Sequence, residues 1–159
     1  MLEDMRKIVR ILESRNQTVA TMESCTGGGV ANLITNVGGA SDVFHFAAVT
    51  YSNEYKIKMG VPKEIIDQYT VYSQETADAM SRAISEFSNS NYGIGITGML
   101  NVIDPENPVD AKNKIYISIY DRDQRKFYQK QVEVHEFVRY RNKNQVLRGI
   151  LDLFLKVLN

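Results

Sequence analysis

The chain of 159 residues has no tryptophan, one cysteine (Cys25) and two histidines (His45 and His135). A single cysteine excludes an intrachain disulfide framework and fits a reducing compartment. With so few thiols and imidazoles, no conventional zinc site is expected. Net charge is missing too: 19 Lys and Arg balance 19 Asp and Glu. No overall field and no block of like charge draws the chain to nucleic acid or to a membrane surface, so neither is expected as a partner. No apolar run approaches the roughly 20 residues that cross a bilayer. The start, Met1-Leu2-Glu3-Asp4-Met5-Arg6, has no signal-peptide pattern. What remains is 43% hydrophobic and 24% charged, ordinary for a soluble globular protein. The length predicts one domain, and the expected location is the cytoplasm.

Periodicity sets out the elements. Leu2, Met5, Ile8, Val9 and Leu12 share one helical face. Thr18 to Met22 reads as a strand, followed by Glu23-Ser24-Cys25-Thr26-Gly27-Gly28-Gly29 and a helix to about Asn36. Gly38-Gly39-Ala40-Ser41 makes a loop. His45 to Tyr51 reads as a buried strand that ends at the cap pair Ser52-Asn53. Short helices follow over Glu54 to Met59 and from Pro62 to about Tyr69, then a longer one from Ser73 to about Phe87. Tyr92 to Gly98 is a strand whose alternating glycines invite close approach by neighbouring chain. Met99 to Asn113 is a long polar connection with Pro105 and Pro108. Lys114 to Asp121 and Lys126 to Val134 form a hairpin, and Phe137 to Asn159 a final long helix. Helices between strands predict an α/β fold in three layers, with a mixed, mostly parallel sheet covered on both faces and a late β-hairpin.

The stretch from Glu23 to Gly29 is the strongest local candidate. A strand turning sharply into a helix puts its turn residues at the sheet's carboxyl edge, where α/β folds build sites. The same pattern also reads as a plain capped helix start, with Ser or Thr as N-cap. Ser24, Tyr51 and Lys56 each end or follow a strand, so neighbouring strand ends could bring them together. A serine nucleophile needs a base. No histidine falls at such a strand end, so the base would be Lys56, with Tyr51 as relay or polariser. Against this, Lys56 also reads as a solvated helix residue and Tyr51 as an aromatic at the core's edge. Cys25 is the rival nucleophile, because thiol pKa values fall at helix starts; a small buried cysteine is the plainer reading. Glu23 could orient a base or bind a substrate hydroxyl, or act as a carboxylate on the helix dipole. Neither a Walker loop nor a dinucleotide fingerprint is present. Arg139, Arg141, Lys143 and Arg148 form a cationic cluster that could meet a phosphate or simply face water.

These residues resemble a known family. Glu23-Ser24-Cys25-Thr26-Gly27-Gly28 is similar to the Glu-Ser-Cys-Thr-Gly-Gly signature of the CinA C-terminal domain. Tyr51-Ser52-Asn53-Glu54-Tyr55-Lys56 is similar to its second motif, Tyr-Ser-Asn-Glu-x-Lys. Gly60-Val61-Pro62, the helix start at Ser73 and Thr97-Gly98 follow in the right order. The resemblance implies a stand-alone domain over residues 1–159, without the molybdopterin-binding-like domain that precedes it in many members. It implies nicotinamide-nucleotide amidase activity, in which nicotinamide mononucleotide and water give nicotinate mononucleotide and ammonia. Ser24 would be the nucleophile, activated by Tyr51 and Lys56. Glu23, Thr26, Gly27 and Gly28 would border the substrate, the glycine turn donating to an oxyanion or a phosphate. Asn53, Ser73, Thr97 and Gly98 would complete that border, with Arg141 and Lys143 from the cationic cluster. No metal or organic cofactor is implied, and the expected assembly is a homodimer or larger homo-oligomer.

The sequence departs from the family pattern at three places. After Thr-Gly the family reads Ile-Ala-Gly-Pro-Gly-Gly, whereas this chain reads Met99-Leu100-Asn101-Val102-Ile103-Asp104-Pro105. Gly-Ala-Val-Ser becomes Thr70-Val71-Tyr72-Ser73, and an Arg-Gln pair becomes Lys143-Asn144. Losing those glycines removes close backbone approach to a ligand. Two other readings follow: a silent nucleotide-binding module, and an amidase acting on a different small amide.

Overall fold

The computed structural model describes residues 1–100 and 113–159. Asn101 to Lys112, which carry most of the expected long connection, lie outside the described residues. A five-stranded sheet has the order β2-β1-β3-β4-β5, with β1 at Val19–Glu23, β2 at Phe44–Val49, β3 at Tyr92–Gly98, β4 at Lys114–Asp121 and β5 at Lys126–Glu133. β1 pairs in parallel with β2 and with β3. The hairpin adds the antiparallel pairs β3–β4 and β4–β5, so the sheet is mixed as expected. The helices are α1 (Leu2–Ser14), α2 (Gly29–Thr35), α3 (Asn53–Lys58), α4 (Lys63–Tyr69), α5 (Gln74–Ser88) and α6 (Arg139–Leu158).

Side-chain alternation along the strands divides the core in two. Tyr92, Ile94 and Ile96 of β3 join Ile115, Ile117 and Ile119 of β4 on the face covered by α1, α2 and α6. Met5, Ile8, Val9 and Leu12 of α1 are buried there, and such side chains each stabilise by about 1.5–3 kcal/mol when fully buried. On the other face Ala20 and Met22 of β1 pack with Ile66 of α4 and with Met80, Ala83 and Ile84 of α5. Gly93 and Gly95 point to this second face, where a Cβ would lie 1.9 Å from the Ser81 carbonyl oxygen and 2.3 Å from that of Ala77. Bare glycine therefore lets α5 lie directly on β3. The buried Ser81 and Ser118 hydroxyls meet across the same contact at 2.9 Å.

Two local expectations need correction. The segment over His45 to Tyr51 is not a buried strand. β2 stops at Val49 and lies at the sheet edge, with Val49 53% and Tyr51 63% exposed. An edge strand has a neighbour on one side only, so apolar residues near its end stay in water. The loop over residues 38–41 also contains the start of a short 3₁₀ turn, Ala40–Asp42.

The chain order fixes where a site can form. From β1 it crosses by α2 to β2 on one side, then returns by α3, α4 and α5 to β3 on the other. This reversal is a topological switch point, and the crevice lies at the carboxyl ends of the strands. Glu23, Val49 and Gly98 end their strands at that edge, and β5 delivers the chain to the start of α6 there.

Candidate functional site

The turn between β1 and α2 is held from below by Glu23. Its side chain is 1% exposed. One carboxylate oxygen accepts from Thr26 Oγ1 at 2.6 Å and from the N–H groups of Gly28 and Val30 at 3.1 Å each. The other accepts from the Ala31 N–H at 2.9 Å. The carboxylate thus satisfies the orphan donors of the helix start and suits the positive end of the helix dipole. Gly27 (φ +61) and Gly28 (φ +90) take the left-handed backbone that the turn requires. Three expectations change. Glu23 is filled by its own turn and is not open to a base or a substrate hydroxyl. The N-cap of α2 is Gly28, not a serine or threonine. The N–H of Gly27 is taken by the Ser24 carbonyl and that of Gly28 by Glu23, so the glycine pair has no donor to offer an oxyanion or a phosphate.

Ser24 sits on top of this turn, its N–H bonded to the Ile96 carbonyl at 3.1 Å. Lys56 approaches from α3, a helix capped by Ser52, whose hydroxyl accepts from the Tyr55 N–H. Lys56 is 2% exposed, so it is not the solvated helix residue that its neighbourhood in sequence also allowed. Its Nζ donates to Ser24 Oγ at 3.1 Å and to the Thr50 carbonyl at 2.8 Å.

A cavity of about 430 Å³ opens above this pair. Of the residues expected at a site, Ser24, Tyr51, Asn53, Lys56, Thr97 and Gly98 line it. The Thr97 hydroxyl donates to the Val71 carbonyl at 2.5 Å, pinning the wall opposite. Gly98 is needed for packing as well, since a Cβ there would come within 2.6 Å of the Lys114 carbonyl oxygen.

Other expected residues do not line the cavity. Glu23, Thr26, Gly27 and Gly28 belong to the supporting turn. Ser73 caps α5, accepting from the Thr76 N–H at 3.2 Å. Arg141 points to Glu136, 3.7 Å away. The Lys143 ammonium lies outside the turn, 3.3 Å from where a Cβ on Gly27 would be.

The rest of the lining includes Cys25, weighed above as the rival nucleophile, Arg139 from the cationic cluster, and Val71, Tyr72, Met99 and Leu100 from the two segments that depart from the family pattern. Arg139, the first residue of α6, donates through Nη1 to the Leu100 carbonyl and through Nη2 to the Tyr51 hydroxyl at 3.1 Å. Burial pushes the Cys25 thiol up to about 12; the Lys56 and Arg139 charges pull it down and are outweighed. A thiol held protonated at neutral pH is a poor nucleophile, which leaves Ser24 as the reactive candidate. The described residues contain no group of three or more His, Cys, Asp or Glu that could hold a metal ion. No helix among them is long and apolar enough to cross a membrane.

Fold and site define an α/β domain with a serine–lysine pair at its topological switch point. Residues 3–158 match the CinA C-terminal domain, and the chain belongs to that family. A relative from Clostridium botulinum (strain Langeland), whose name includes competence-damage inducible protein, is 47% identical over 93 residues, 58% of this chain and 23% of its own length. A CinA-like protein from Kosmotoga olearia is 39% identical over 116 residues, 71% of this chain and 27% of its own length. The chain therefore spans about a quarter of these relatives. The structure of the competence/damage inducible protein CihA from Agrobacterium tumefaciens superposes with a TM-score of 0.87 at 27% identity, covering 99% of this chain and 94% of that one. A CinA-superfamily protein from Klebsiella pneumoniae also gives 0.87, at 21% identity, with 99% and 96% covered; at that identity the likeness concerns the fold.

Proposed function

We propose that this domain hydrolyses a primary carboxamide through an acyl-serine intermediate, with nicotinamide mononucleotide as the substrate that family membership suggests. The observation that carries the reading is the 3.1 Å contact between the buried Lys56 ammonium nitrogen and Ser24 Oγ. Lysine is the side chain whose pKa responds most readily to burial, which suits it to general-base work. In its neutral form Lys56 takes the Ser24 proton as Oγ attacks the amide carbon. The tetrahedral adduct collapses with cleavage of the C–N bond, and Lys56 returns the proton so that ammonia leaves. Water then attacks the acyl-serine, giving up a proton to Lys56, and the freed Ser24 regains one as the acid departs. The N–H of Cys25, directly after the nucleophile, is the position from which strand–turn–helix sites donate to an oxyanion. Tyr51, tied to Arg139 at the mouth, contributes from the rim. The Arg139 guanidinium suits an anionic end of the substrate.

The test is ammonia release from nicotinamide mononucleotide by the purified protein and its Ser24→Ala variant. Turnover that Ser24→Ala abolishes is expected; turnover that survives Ser24→Ala removes the mechanism. A homodimer belongs to the same proposal. Tyr51, Tyr55 and Tyr140 are 63%, 55% and 61% exposed, and sedimentation velocity tests whether a second copy forms.

A further inference from the structure

We propose that Thr70 is a positioning residue, a strained lock that holds the Val71–Tyr72 wall of the cavity in place. Thr70 ends α4 with φ +63 and ψ 178. That backbone region belongs essentially to glycine. A β-branched residue with positive φ is an outlier, because its Cβ is crowded by the backbone. Holding threonine there costs roughly 5- to 150-fold in the equilibrium for that conformation. A residue so placed persists only where its surroundings over-determine it, and such residues gather at clamps and working sites.

The surroundings do over-determine Thr70. Its N–H donates to the Ile66 carbonyl at 2.9 Å. Its hydroxyl accepts from the Tyr72 N–H at 3.1 Å. Its carbonyl accepts from the Ser73 hydroxyl at 3.0 Å and from the Thr76 hydroxyl at 2.5 Å. The next carbonyl, that of Val71, accepts from Thr97 Oγ1 at 2.5 Å. Val71, Tyr72 and Thr97 all line the cavity. Val71 is 4% exposed and shares a buried cluster with Met22, Met80 and Ile84. Ser73 is the N-cap of α5. One short link therefore ties the end of α4, the start of α5 and the carboxyl end of β3. Turning Thr70 to a negative φ would redirect the chain after it. The Val71 carbonyl could not stay on Thr97 while Ser73 stays at the start of α5. The strain is thus the condition for the wall's placement. Any residue could make the N–H and carbonyl bonds; the hydroxyl on Tyr72 is the contribution of this side chain.

The experiment compares Thr70→Gly, Thr70→Val and Thr70→Ser in the full-length protein, by urea unfolding and by amide hydrogen exchange. Glycine relieves the strain and removes the hydroxyl. Valine keeps the strain and the shape and removes the hydroxyl. Serine keeps the hydroxyl. At an unstrained loop position valine folds more favourably than glycine, because glycine leaves the unfolded chain more freedom. Here the order should invert, with the folding equilibrium constant of Thr70→Gly about fivefold or more above that of Thr70→Val. Exchange at the Tyr72 amide should run about fivefold faster than native in both, the worth of one hydrogen bond. Thr70→Ser should restore it to within about twofold. In Thr70→Gly the wall then loosens although the strain is gone, a split that a merely structural residue does not produce. Thr70→Gly folding no better than Thr70→Val overturns the proposal, and so does Tyr72 exchange unmoved by loss of the hydroxyl.

Only the kinetic arm rests on the amide-hydrolysis reading. A wall in place for a smaller fraction of the time weakens apparent binding by that fraction. Thr70→Gly should therefore raise KM for nicotinamide mononucleotide about two- to fivefold and leave kcat within about twofold. Turnover with an unmoved KM overturns the positioning role and leaves the amidase reading standing. Absence of ammonia from native and variant proteins alike sinks the amidase reading, and unfolding and exchange then decide the lock by themselves.

Discussion

Replacing Lys56 with methionine separates its chemical role from its structural one. The side chain is 2% exposed and donates to Ser24 Oγ at 3.1 Å and to the Thr50 carbonyl at 2.8 Å. Methionine has nearly the same reach and carries no charge. The variant loses hydrogen bonds to a charged group, worth about 1.5–3 kcal/mol each. It also removes a buried ammonium, whose desolvation costs several kcal/mol. These effects oppose, so the net change in folding stability should stay within about 2 kcal/mol in either direction. Activity has no such offset. Loss of a positioned general base costs about 10²–10⁴-fold. The assay pairs ammonia release from nicotinamide mononucleotide with urea unfolding of the same preparation. A fall in kcat/KM of at least about 100-fold with a nearly unmoved unfolding midpoint is expected. Lys56→Arg should be equally inactive, because a guanidinium keeps its proton in proteins. A Lys56→Met protein within about tenfold of the unmodified one refutes the assignment of the base.

Glu23→Gln keeps the shape of the side chain but turns one acceptor into a donor facing backbone N–H groups. It should cost about 1–3 kcal/mol and speed amide exchange at Gly28, Val30 and Ala31; unchanged exchange there would separate the carboxylate from the turn. Gly95→Ala puts a Cβ 2.3 Å from the Ala77 carbonyl oxygen and 2.6 Å from the Ser81 nitrogen, both backbone. Helix α5 would have to move, and urea unfolding should register a loss of about 3 kcal/mol or more. The Cys25 thiol, ordinarily at 9.0 and raised to about 12, ties stability to alkaline pH. Between those values the folded chain keeps a proton that the unfolded chain has lost, so stability falls as pH rises, by at most about 1.4 kcal/mol per unit. From pH 8 to pH 10 the native protein should lose about 1.4 kcal/mol more than Cys25→Ala, and identical losses would contradict the burial of the thiol.

The framework was legible because local patterns carried it. The spacing of Met5, Ile8, Val9 and Leu12 specifies one buried helical face, and α1 buries those four residues. The alternating Gly93 and Gly95 announce a close neighbour, and the neighbour is α5. Periodicity does not report strand order, however. His45 to Tyr51 carries as many apolar residues as a central strand, yet β2 pairs on one side only. Its exposure is set by what lies beyond β1, which no window of sequence contains.

The site divides along the same line. The role of Glu23 was within reach of the sequence, since all four atoms that donate to it at 3.1 Å or less lie between Thr26 and Ala31. A carboxylate directly before a glycine turn and a helix start is the signal for a carboxylate consumed by that turn. Lys56 meets Ser24 because two adjacent parallel strands end at one edge, so a residue in the first turn of α3, seven residues beyond β2, reaches the residue just beyond β1. That inference needs only the parallel pairing of β1 and β2. Arg139 offers no such route. It stands 88 residues from Tyr51 in sequence, and it reaches the cavity because the hairpin reverses the chain twice and returns it to the carboxyl edge. The Ser24–Lys56 pair therefore belongs to the local grammar of the crossover, while Arg139 reaches the rim only through the way β4, β5 and α6 are added. A substitution at Arg139 changes the rim, through its bond to the Tyr51 hydroxyl, while leaving the Ser24–Lys56 contact in place.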